Sequence, residues 1–210
     1  MRANRFVTTA GLAALLLLAG CAEGGQADET EAGPTLPSTS SAAPSSSEPA
    51  EPTGPVRNER GNVEKALGEE GGISDLATDQ PVITFTVDAI GPAQCTSDYA
   101  QYGSGPENGN LVAVNLRFST APELAASALG SYFTVSAYDF RFIGPDGITQ
   151  SNLGTAASYG CLSQNQQFTQ NPLGSGQQYV GSIVLDLPAT NGTLVYAPSV
   201  IAEGGWEWQF

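Results

Sequence analysis

The side chains able to do chemistry in this sequence are three cysteines, a surplus of carboxylates and no histidine. Without histidine there is no Ser-His-Asp or Cys-His arrangement, and the usual nitrogen ligand of zinc is missing. Two carboxylates flanking a sugar ring could hydrolyse a glycoside, and Asp139, Glu203 and Glu207 are available for that role. No spacing singles out a pair among them. Asp139 and Glu207 alternate with apolar neighbours, which is the pattern of polar residues on the solvent side of a strand. Asp146 could contribute to a calcium loop, but such a loop needs several oxygen donors at close spacing. Gly144-Pro-Asp-Gly147 supplies one carboxylate and every feature of a tight turn, so the turn is the simpler reading. The expectation is a protein that is not an enzyme, with no catalytic residues, metal or cofactor.

The cysteines divide by position. Arg2 and Arg5 precede an uncharged run from Phe6 to Gly20, centred on Leu12 to Leu18 and ending Leu18-Ala19-Gly20-Cys21. A basic start, an apolar run too short to span a bilayer and small residues before a cleavage point are the parts of a secretory signal. One reading is an ordinary signal peptide with an incidental cysteine. The other rests on the placement of Cys21 directly after Leu-Ala-Gly, with a polar chain following. That placement resembles the bacterial lipobox, whose cysteine receives a diacylglyceryl group on sulfur and an acyl chain on the new amino terminus. It implies palmitate-type acylation of Cys21 and attachment to the lipid bilayer, at the outer face of the cell membrane. Two or three chains hold stably where one does not, at about 0.8 kcal/mol per buried methylene.

Cys95 and Cys161 then remain as an even pair in an oxidising compartment, for which a disulfide is the default. It would close a loop of 66 residues, for which chain entropy gives ~4 kcal/mol as an upper figure. A metal pair or a nucleophile is the alternative, and the missing histidine disfavours both.

These groups sit in a chain of three parts. Residues 1–20 form the signal peptide. Residues 21–61 hold the lipidated cysteine and a linker without aromatic residues, crowded with Ser, Thr, Pro, Gly and Glu. Such a segment cannot bury enough apolar surface to offset ordering its backbone, so disorder is expected. As a random coil of that length it averages roughly 35 Å end to end. Residues 62–210 are one domain of common size. Beyond residue 80 its only basic side chains are Arg117 and Arg141, against nine acidic ones. That argues against nucleic acid and against electrostatic docking on anionic lipid.

The domain reads as strands separated by turns. In Val82–Ile90, residues Ile83, Phe85, Val87 and Ala89 share one face. Val112, Val114, Leu116 and Phe118 do so in Asn110–Ser119. Phe133–Ile143 continues with Phe140 and Phe142 about Arg141, and Ile148-Thr-Gln150 returns from the turn at Gly144–Gly147. Tyr179–Leu187 places Ile183, Leu185 and Leu187 inward. Thr193–Tyr196 follows the Asn191-Gly192 turn, and Gly205–Phe210 ends the chain. Val63–Leu67 could form a turn of helix and Ala121–Leu129 a short one. Seven or more short strands with one apolar face each argue for an antiparallel β-sandwich, an all-β fold.

The order of these pieces carries a resemblance. Gly-Glu-Glu at 68–70, Ile-Thr-Phe-Thr-Val at 83–87, Cys95, Asn-Leu-Val-Ala-Val-Asn-Leu at 110–116, Gly-Pro-Asp-Gly at 144–147, Cys161, Gly-Ser-Ile-Val-Leu-Asp-Leu-Pro at 181–188 and the terminal Trp-Glu-Trp follow one another. The series is similar to the immunoglobulin-like domains of unknown function on actinobacterial lipoproteins and on a small immunogenic secreted protein of mycobacteria. The likeness covers about residues 62–210 and implies an immunoglobulin-like β-sandwich in the cell envelope, with no assigned activity. The apolar piece Ala121–Gly130 departs from it.

Two aromatic sets are candidate binding residues. Trp206, Trp208 and Phe210 alternate on one face and could stack on sugar rings or dock a protein, although the same row is what a terminal strand gives a sandwich core, and ordinary burial favours the core. Tyr99, Tyr102 and Tyr159 lie near the two cysteines, in Gly- and Ser-rich segments of binding-loop composition. The expected partner is an envelope protein or a wall polymer. The alternative is a structural lipoprotein or small-ligand carrier without a surface site, for which an apolar cavity between the sheets would be the sign.

Overall fold

The computed structural model describes residues 54–101, 105–201 and 203–210. Cys21, the signal peptide, most of the linker and Tyr102 lie outside the described residues. Among the described residues no helix is long and apolar enough to cross a membrane.

The fold is an all-β sandwich. Its strands are β1 (Asn62–Glu64), β2 (Glu70–Ser74), β3 (Pro81–Pro92), β4 (Asn110–Thr120), β5 (Phe140–Ile143), β6 (Thr149–Gln150), β7 (Gln178–Leu187), β8 (Thr193–Tyr196) and β9 (Gly205–Gln209), with one helical turn, α1 (Ala156–Tyr159). One sheet has the order β2-β3-β4-β7 and the other β1-β9-β8-β5-β6. All pairings between these strands are antiparallel except β1 with β9, which is parallel and sets Val63 opposite Trp206.

The alternation expected for β4 holds, with Val112, Val114, Leu116 and Phe118 buried and Asn115, Arg117 and Ser119 exposed. In β3 it holds only to Val87. There the register shifts, Val87 facing Leu116 and Ala89 facing Asn115. Such a bulge exchanges the faces of the residues beyond it. Ile90, not Ala89, therefore packs against the core. The extra residue, Asp88, swings out and accepts two hydrogen bonds at 2.7 Å from the guanidinium of Arg117.

Aromatic rings close the space between the sheets. Phe85 of one sheet meets Trp206 at 4.8 Å, Tyr196 at 5.1 Å and Trp208 at 6.5 Å from the other, each edge to face. Fully burying one such side chain contributes roughly 1.5–3 kcal/mol.

Several expectations are corrected. Val63 begins no helix; it belongs to β1, because the edge of β9 offers backbone partners. The stretch Phe133–Ser136 is not strand: Ser136 and Asp139 form a capping box around a 3-10 turn at Ala137–Asp139 before β5 starts. Ala121–Leu129 forms no α-helix but a 3-10 turn at Leu124–Ala126, pinned by buried Leu124 and by the Asp75 carboxylate, which accepts from Ala128 N at 2.6 Å. The turn at Gly144–Gly147 is present, with Gly147 in the left-handed region at φ 79° and Asp146 Oδ1 accepting from Ile148 N at 3.0 Å.

Candidate functional site

Cys95 and Cys161 are bonded, with Cα atoms 4.4 Å apart. Thr96 N and Ser97 N both donate to the carbonyl of Cys161, at 2.8 and 3.0 Å, so the chain after Cys95 is laid against the chain at Cys161. Tyr99 comes next, on a 3-10 turn (Asp98–Gln101), where its N–H donates to Ser97 Oγ at 3.1 Å. The other side of the bond carries α1. Thr155 and Ser158 form a reciprocal capping box, Thr155 N donating to Ser158 Oγ at 2.9 Å and Ser158 N to Thr155 Oγ1 at 3.3 Å. That box fixes a helix too short to persist alone and sets Tyr159 at its end.

Two grooves open beside this bond. One, of about 330 Å³, lies between Tyr138 on one wall and Tyr159 and Gln167 on the other, over Val135, Phe168 and Val184. The second, of about 630 Å³, is bounded by Tyr99, Asp98, Gln164 and Asn165. Tyr159, Leu162 and Gln167 line both, so the grooves meet along one ridge. Gln167 is held there by its own amide, which donates to the carbonyl of Leu162 at 2.7 Å and of Tyr159 at 3.3 Å. Gly181 permits this packing: a methyl on it would come within 2.6 Å of the Phe168 backbone.

Tyr99 is 79% exposed, Tyr138 74% and Tyr159 43%. The phenol of Tyr159 titrates above the ordinary tyrosine range, chiefly through burial and then through the neighbouring phenol of Tyr138. Its hydroxyl lies over Gly154, where an added methyl would sit 2.7 Å from it.

No family model matches the sequence. No curated protein matches it either. Among solved structures, the secreted protein MPT63 of Mycobacterium tuberculosis superposes with a TM-score of 0.48 at 16% identity, over 71% of this chain and 98% of that one. A candidate lipoprotein of Bacillus subtilis superposes with a TM-score of 0.42 at 12% identity, over 70% of this chain and 39% of that one. Both likenesses concern strand arrangement at low identity.

The structure thus brings Tyr99 and Tyr159 to one site and adds Tyr138, which the sequence hides inside an apparent strand. The signal was Ser136-x-x-Asp139, a helix-start pattern in the middle of that run. The tryptophans belong elsewhere. Trp208 is 1% exposed, a core residue and no contact for a ligand. Trp206 is half-buried, and its ring stacks on Tyr196 at 6.0 Å while lining a separate hollow with Arg57, Leu76 and Ile201.

The carboxylates are also relocated. Glu207 does not face solvent: it is 1% exposed, beneath residues that composition assigns to the linker or its border. Asn58 Nδ2 donates to it at 2.6 Å, Asn62 Nδ2 at 2.9 Å and Arg60 through both Nε and Nη2. Burial would raise its pKa, but those hydrogen bonds and the Arg60 charge outweigh burial and hold it below the usual carboxylate range. Asp139 is raised instead, chiefly by burial, which the hydrogen bonds from Ser136 only partly offset. Each carboxylate serves a local structural bond, one a strand junction and the other a cap.

Proposed function

We propose that this chain is a membrane-anchored, non-enzymatic binding module that engages a component of the cell envelope through the tyrosine cleft. Cys21 supplies the lipid anchor at the outer face of the membrane, the Ser/Pro-rich segment after it supplies reach, and the sandwich presents the site. The observation that carries the reading is the convergence of Tyr99, Tyr138 and Tyr159, from three separate chain segments, on adjoining grooves fixed by the Cys95–Cys161 bond. Exposed aromatic side chains with few rotamers give contact area at low entropic cost. A carrier would need open space between the sheets, where Phe85, Tyr196 and Trp208 are packed.

The test is photo-crosslinking in living cells with a reactive residue at position 138, against the same residue at Arg141 on β5. An envelope species captured from position 138 and not from position 141 is the expected result. Identical captures from both positions, or none from either, would overturn the reading.

A further inference from the structure

We propose that the cleft takes a linear, uncharged glycan, its sugar rings laid against the phenol faces and its hydroxyls met by the amides of the walls. This rests on the envelope-binding reading above and names the ligand class for the same site.

Charge selects a neutral ligand. Across both grooves the lining is hydroxyl, amide, aromatic and aliphatic, and among the described residues Asp98 is the one ionisable group there besides the tyrosines. No lysine or arginine among the described residues lines either groove, so an anionic polymer finds no counter-charge, and the acidic domain around the cleft repels it. Protein interfaces centre on aromatic residues together with arginine anchors and an apolar core. This cleft has the aromatic residues without the arginine.

Bonding capacity selects a sugar. A sugar presents an apolar C–H face and a rim of hydroxyls that both donate and accept. Phenol faces cover the first. Gln164, Asn165 and Gln170 can match the second, because a carboxamide also donates and accepts. The sizes, about 330 and 630 Å³, fall within the range of small-ligand clefts. Their shared ridge at Tyr159 and Gln167 makes them successive stations on one track, suited to a chain of several sugars. Rigidity favours binding by either groove. A disulfide, a capping box and the Gln167 amide hold the walls, so little ordering is left for the ligand to impose.

The experiment is a calorimetric titration of the full-length chain in detergent with chitotetraose and with mannotetraose, alongside the anionic tetragalacturonate. Binding of at least one neutral tetramer is expected, and of the anion not at all. Tyr138→Ala and Tyr159→Ala are expected to weaken the neutral ligand at least tenfold, and Tyr132→Ala, an exposed tyrosine outside both grooves, less than twofold. Tyr138 is exposed, so its variant keeps the fold. Absence of binding by both neutral tetramers would overturn the proposal, as would equal affinity for the anion or indifference to both cleft variants. A protein captured by the position-138 crosslink in cells, with no neutral glycan bound, would sink this proposal and leave the envelope-binding reading standing.

Discussion

The hydroxyl of Thr155 donates to the carboxylate of Asp186 at 2.9 Å, and through that bond the helical turn bearing Tyr159 hangs from β7. The same carboxylate accepts the backbone N–H groups of Glu107 at 2.6 Å, Asn108 at 3.1 Å and Gly109 at 3.2 Å. One fully buried aspartate thus ties the loop that leads into β4 and the base of α1 to a single strand.

Asp186→Ala leaves the buried Thr155 hydroxyl and three part-buried backbone N–H groups without their acceptor, and a buried donor costs about 1–3 kcal/mol when unsatisfied. A loss of roughly 3 kcal/mol in urea unfolding is expected, with faster amide exchange at residues 107–109. Asp186→Asn, which still accepts, should lose less. Equal losses for the two variants would contradict this account.

Reduction of Cys95–Cys161, or its replacement by two serines, should separate the grooves before it opens the sandwich. Chain entropy assigns such a bond about 2–4 kcal/mol. The expected result is a lower thermal midpoint with the far-ultraviolet spectrum retained at about 25 °C, well below the midpoint of an ordinary domain, and loss of cleft binding. An unchanged midpoint with both thiols free would count against it.

Glu207 and Asp139 should show opposite pH signatures. The folded pKa of Glu207 is depressed, so its stabilisation is present above its unfolded pKa and is lost as pH falls through the folded value. Glu207→Gln should therefore cost about 2 kcal/mol near neutrality and progressively less in acid. The folded pKa of Asp139 is raised, so its ionised form carries a penalty above that value and none once both states are protonated. Asp139→Asn should gain on the native chain near neutral pH and lose that gain in acid. Urea titrations from about pH 3 to 8, which span the carboxylate range, decide it; parallel curves for the two variants would refute the assignment.

Two glycines separate positioning from folding. Gly154→Ala meets the far end of the Tyr159 side chain, which can move. It should shift the Tyr159 ring resonances and weaken cleft binding at a stability cost of about 1 kcal/mol or less. Gly181→Ala meets backbone at Phe168 and Gln167 and should cost more, up to roughly 3 kcal/mol. The reverse ranking in thermal unfolding would be inconsistent with the packing described.

Cys21→Ala should release the protein into the medium, measured by fractionation of cells and supernatant. Full retention with the membrane would remove the lipid-anchor reading.

Alternation made β3, β4, β7 and β9 legible in the sequence, because each turns one face to the core, whereas β8, buried at Leu194, Val195 and Tyr196 in succession, was legible from the Asn191-Gly192 turn before it. It failed where a second covering lay far along the chain. Glu207 looks solvent-facing between two tryptophans, and only the return of Asn58, Arg60 and Asn62 from the other end of the domain buries it. The Asp88 bulge was equally hidden, since it depends on Arg117 reaching across from β4. Within the cleft, the cysteines pointed to Tyr99 and Tyr159. Tyr138 was masked because a one-turn helix between apolar residues has the same composition as a strand.

β1 runs parallel to β9, so the first strand after the linker is matched residue for residue to the last strand of the domain. A pull on the chain ahead of Asn62, directed along that strand, strains its backbone bonds and the Arg60–Glu207 bridge together rather than peeling them singly. Force applied along that line meets the junction in shear.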